Sequence, residues 1–78
     1  MPMNQQTDDL RAEIARIADR CSALDATITT RARIASTMPR GHARDAEYAE
    51  IGELREQLDQ LHADERDLVR QREALLSA

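Results

Sequence analysis

Met38-Pro39-Arg40-Gly41-His42 is the one strong break in this chain of 78 residues, and its reading decides the fold. Proline lacks a backbone N–H and biases the residue before it away from helix, while Gly41 supplies a flexible turn. On both sides of the break, apolar residues recur at alternating spacings of four and three. Before it come Leu10, Ile14, Ile17, Cys21, Leu24 and Ile28, continued past Arg31 by Ala35 and Met38. After it come Ile51, Leu54, Leu58, Leu61, Leu68 and Leu75, interrupted at Glu65 and Arg72. This is the heptad pattern of helices that pack side by side. The expected fold is all-α: an antiparallel two-helix coiled-coil hairpin in a single domain, 1–78. Its parts are a tail at 1–6, a first helix over 7–38, a basic tip at 39–44 and a second helix over 45–77. Thr7 followed by Asp8 and Asp9 marks the first start, and Asp45, Glu47 and Glu50 place negative charge in the first turns of the second helix.

Two long helices joined by a short connection fold back on each other, and equal arms pair residues whose numbers sum to about 82. Leu24 then faces Leu58, Ile28 faces Leu54, Cys21 faces Leu61, Ile14 faces Leu68 and Ile34 faces Tyr48. Ile17 meets Glu65 and Leu10 meets Arg72, so the seam is expected to be driest near its middle. The polar intruders need partners: Glu47 or Glu50 for Arg31, Arg16 or Arg20 for Glu65, and Asp9 or Glu13 for Arg72. Such residues fix register at a cost in stability. Gly52 inside the second helix marks either a close helix approach or nothing, at a cost of about 1 kcal/mol relative to alanine.

Eighteen large apolar side chains are few for a self-sufficient core in a chain this short. Ile34, Val69 and Leu76 lie off the seam, which predicts self-association of two hairpins into a four-helix bundle, a homodimer. A single aromatic residue, Tyr48, argues against a stacking platform for single-stranded nucleic acid and against a large enclosed ligand pocket. All 11 basic residues are arginine, which together with many alanines fits a GC-rich coding sequence such as that of a high-GC bacterium or its phages. The N-terminus has neither a basic nor an apolar leader region, the lone Cys21 has no disulfide partner in the chain, and no apolar run approaches a membrane span. The expectation is a cytoplasmic protein with no membrane contact.

The net charge of −4 is unevenly spread. Residues 27–44 hold Arg31, Arg33, Arg40 and Arg44 and no acid, whereas 45–67 hold nine acids and two arginines. Arginines near a helix C-terminus complement its macrodipole, and that alone accounts for part of this pattern. The other reading is a docking surface of Arg31, Arg33, Arg40, His42 and Arg44 for a protein with an acidic surface, using the planar, multidentate guanidinium. Nucleic acid is disfavoured as a partner, because the acidic segment directly behind the tip repels phosphate.

Catalytic and metal chemistry find little support. Asp59, His62 and Glu65 follow each other at three-residue spacing, similar to the Glu-x-x-His of di-metal bundles, but the facing positions are Ile17, Cys21 and Leu24, so a solvated polar face is expected and no metal or other cofactor. Cys21 on the apolar stripe reads as a small hydrophobe. No serine or threonine has a base and an orienting group within reach, so no hydrolase activity is expected.

Three resemblances bear on function. Leu10-Arg11, Glu13-Ile14 and Ile17 look like the opening helix of the small all-helical chorismate mutases, a family in which an arginine further along that helix grips a substrate carboxylate; the matching position here is Ile28, so that activity is not implied. Leu10-Arg11-Ala12-Glu13-Ile14, Ala32-Arg33, Gly41 and Asp45-Ala46-Glu47-Tyr48 resemble the N-terminal coiled coil of the bacterial Gre transcript-cleavage factors, whose hairpin enters the secondary channel of RNA polymerase. Their tip acids help hold a catalytic magnesium. His42 stands here where that family has an acid, and the C-terminal domain of the family has no counterpart, so the resemblance implies at most a hairpin that modulates such a channel. The Arg-Gly tip before an aromatic residue is also similar to helical-hairpin cochaperones of type III secretion needles. Together these predict a non-catalytic hairpin that binds and regulates or inhibits a larger bacterial protein machine, with a purely structural bundle subunit as the alternative.

Overall fold

The structure, a computed structural model, describes residues 2–77, with side chains described from Gln5 to Ser77. Two helices account for nearly all of it: α1, Pro2–Ser36, and α2, His42–Ser77. They pack against each other along their length as a rod of 59 × 14 × 13 Å, and no strand occurs among the described residues. None of the described helices is long and apolar enough to cross a membrane.

The reversal is built locally. Thr37 N and Met38 N donate to Ile34 O and Ala35 O at 3.1 Å, a tightened last turn, and the Ser36 and Thr37 hydroxyls donate to Arg33 O and Ile34 O at 2.7 and 2.8 Å. Carbonyls that the helix end would otherwise leave unpaired are thereby satisfied. Pro39 forbids continuation, and Gly41 takes φ +153°, a conformation L side chains rarely adopt. Asp45 N donates to Gly41 O at 3.0 Å, so α2 resumes at once.

Boundaries differ from the sequence reading in three places, the first being that α1 ends at Ser36 rather than at 38, in the tightened turn before Pro39. The expected tail at 1–6 is helical from Pro2 onward, and Thr7 lies inside α1. Proline suits the first helical position, where its missing N–H costs nothing, and the residues between it and Thr7 include no helix breaker. The expected tip at 39–44 is shorter than its charges: His42 and Arg44 belong to the first turn of α2.

Ile28, Ala35 and Ile51 form one buried cluster, with Leu24, Ala32, Met38, Leu54 and Leu58 packed against it. The pairs Leu24 with Leu58 and Ile28 with Leu54 thus share one cluster, as the pairing rule requires. The rod is driest in its tip half rather than at its middle. Ala35 next to the reversal is fully buried, whereas Leu24, Leu58 and Leu61 farther along are only half-buried. Ile17 and Cys21 are buried as well, but none of the described large side chains is completely buried.

Gly52 resolves simply. A Cβ there would meet nothing within 4 Å, so no close approach requires glycine. Gly52→Ala is expected to raise stability by about 1 kcal/mol, read as a higher urea midpoint with an unchanged slope. A loss of stability would show that this position touches something the isolated hairpin lacks.

Candidate functional site

Arg31 sits on the α1 stripe where a hydrophobe belongs, and its two expected partners both hold it. Nε donates to Glu47 Oε1 at 2.7 Å and Nη2 to Glu47 Oε2 at 3.3 Å, while Nη2 also reaches Glu50. The forked guanidinium spans both carboxylates, which lie one turn apart on α2. The hydrogen-bonded guanidinium holds the Glu47 carboxyl below its ordinary 4.5, and the two carboxylates hold Arg31 above its own usual range. Arg31 is therefore a fastener between the helices and leaves the docking set in which the sequence placed it.

A pH dependence follows. A carboxyl whose pKa is lower in the folded state than in the unfolded chain stabilises the fold above its unfolded value and loses that contribution as pH falls through the folded one. Arg31 stays charged throughout. Below about pH 4.5 the wild type is expected to lose melting temperature more steeply than Glu47→Gln, which has no proton to take up. Parallel curves would show that the pair contributes nothing.

The remaining cationic residues are arranged differently. Arg33 lies in the last turn of α1, where it complements the helix dipole, and it is exposed. Arg40 lies in the connection and His42 begins α2, both exposed. Among the described residues, none of these three makes an ion pair or a side-chain hydrogen bond. Arg44 is half-buried, its guanidinium 5.4 Å from the centre of the Tyr48 ring one turn on. Arg44 stands at the positive end of α2's dipole, which Asp45 in the same first turn complements and a cation does not. Macrodipole complementation therefore explains Arg33 and leaves Arg40, His42 and Arg44 unexplained.

The other intruders find local company. Glu65 has His62 Nδ1 at 3.9 Å rather than Arg16 or Arg20, and Arg16 pairs with Glu13 at 2.8 Å. Among the described residues Arg72 pairs with neither Asp9 nor Glu13. No three His, Cys, Asp or Glu side chains gather as a metal-binding group among the described residues. Burial pushes the Cys21 thiol up, and Glu65 adds to the shift against a smaller opposing effect of Arg20, so the protonated, weakly nucleophilic form is favoured.

The expected self-association set divides. In an antiparallel pair of helices, the positions flanking the seam on one side of α1 lie beside the equivalent positions of α2. Arg20 and Thr27 accordingly share a groove with Gln57 and Asp64, while Asp25 and Ala32 share another with Arg55. Ile34, one heptad past Thr27, belongs to the first side and is 56% exposed; Val69 and Leu76, two and three heptads past Arg55, belong to the second. Ile34 does not face Tyr48 across the seam either, since Tyr48 lies one heptad before Arg55.

Compared with known protein families, curated proteins and solved structures, the chain matches none. Of the residues that carry the resemblance to the Gre hairpin, Glu47 is engaged by Arg31.

Proposed function

We propose that this chain is a non-catalytic, cytoplasmic hairpin protein that pairs with itself into a four-helix bundle and docks its basic tip, Arg33, Arg40, His42 and Arg44, onto an acidic surface of a larger bacterial protein machine, which it regulates or inhibits. One observation carries this reading: basic side chains gather at the hairpin's end, Arg33, Arg40 and His42 without an ion pair or side-chain hydrogen bond among the described residues and Arg44 engaged only by the Tyr48 ring, at a helix terminus that disfavours positive charge. Arginine is suited to such docking because its planar fork satisfies carboxylates in pairs. The hollows between the helices are open grooves, which offer a small substrate little enclosure.

Salt provides the test. Immobilised chain is expected to retain a host protein that is released as ionic strength rises from ~0.1 M toward 1 M, where screening shortens from about 10 Å to 3 Å. Salt-insensitive retention, or retention of nucleic acid, contradicts tip docking and favours the structural-subunit reading or a phosphate ligand. Self-pairing is checked by melting: the midpoint should climb with chain concentration. A concentration-independent midpoint with a monomer mass contradicts it.

A further inference from the structure

The hairpin exposes more surface than its mass warrants. A compact monomer of 8.8 kDa shows about 4,800 Å², whereas this rod shows 5846 Å². The surplus of about 1,000 Å² matches one partner's share of a specific interface, roughly 800 Å². Only one of the rod's two broad faces suits burial. The face bearing Thr27 carries Glu13, Glu50 and Asp64 against Arg20 in its seam-flanking positions, so two copies meeting there would bring like charges together. The opposite face carries Tyr48, Val69 and Leu76 on α2 and Ala18 and Ala32 on α1, and its charges, Arg11, Asp25 and Arg55, are of mixed sign.

That second face is self-complementary in size and charge. At equal heights along the tip-side and middle parts of the rod, small or acidic positions of α1 match large or basic positions of α2, Ala32 with Tyr48, Asp25 with Arg55 and Ala18 with His62, while toward the open end Arg11 lies level with Val69. We propose that a second copy of this chain covers this face about a two-fold axis parallel to the rod, laying each α1 on its partner's α2 and bringing both basic tips to the same end. The inference rests on the self-pairing reading and specifies its geometry. The other face-to-face arrangement, with the axis across the rod, lays α1 on α1 and α2 on α2. It would set alanine against alanine, leaving a void, and crowd the larger α2 side chains. Adjacent tips would also give the acidic partner two attachment points, so that avidity exceeds the affinity of one tip.

The test uses the full chain. With a spin label on Arg40→Cys in a Cys21→Ala background of wild-type helicity, pulsed electron resonance is expected to read an intermolecular distance of about 20 Å, two helix diameters. A distance near the 59 Å length of the rod overturns the geometry and leaves self-pairing standing. Two matched substitutions in the natural background decide independently. Ala18→Glu on the proposed face should weaken dimerisation on the order of a hundredfold by forcing a bulky carboxylate into a place where alanine packs, while Ala23→Glu on the opposite face should leave it unchanged. The reverse ranking overturns the choice of face. A monomer at all concentrations overturns both this inference and self-pairing.

Discussion

Replacing Ile51 with alanine is expected to cost about 3 kcal/mol, the largest single loss at any described apolar position. Ile51 is only 3% exposed and shares a buried cluster with Ile28 and Ala35. Truncation removes three methyl or methylene groups from water-excluded space and leaves a cavity that two stiff helices cannot close by collapsing. Of the other described residues only Ile17 and Cys21 are buried, outside this cluster. For a domain of this size, that loss lowers the melting temperature by more than about 10 °C. Ile34→Ala supplies the comparison: a side chain 56% exposed on the acidic face should cost within about 0.5 kcal/mol. Thermal melts of both variants at one concentration suffice. An Ile51→Ala protein that melts with the wild type would mean that the cluster near the tip does not hold the hairpin together.

Much of this architecture was legible because it depends on local, strongly signalled chemistry. Pro39 and Gly41 stop and turn the chain whatever surrounds them, and the heptad stripes then dictate an antiparallel seam. Arg31 was legible for the same reason, since a cation on an apolar stripe has few places to go and Glu47 and Glu50 lie opposite. What sequence could not decide is how far a helix runs when nothing forbids it. Thr7 offers a good cap, but the residues before it are compatible with helix, so α1 begins at Pro2. The tip differs for the mirror-image reason: a stretch of six residues rich in basic and turn-forming types reads as one loop, although α2 resumes directly after Gly41. Arg31 also carried two incompatible roles in the sequence, fastener and docking residue, and only its distances to Glu47 separate them. The division of Ile34 from Val69 and Leu76 needed both helices in register, because a flank of α1 acquires its neighbours only once α2 is laid beside it.

Docking through the free arginines of the tip is the central claim, and reversal of two of them tests it most directly. Arg40→Glu/Arg44→Glu should leave the fold close to wild type. Neither arginine makes an ion pair among the described residues, the contact of the half-buried Arg44 with Tyr48 is worth about 1 kcal/mol, and acids in the first turn of α2 favour its dipole. Binding should respond very differently. An acidic surface loses charge-assisted hydrogen bonds and meets two new repulsive charges, a combined cost of several kcal/mol. The measurement is a calorimetric titration of the retained host protein with wild type and with the double variant, both first matched for helicity. The predicted result is an affinity more than about a hundredfold weaker for the variant; undiminished affinity would contradict the claim and move the binding surface to the acidic side of α2 around Glu47, Glu50 and Glu53.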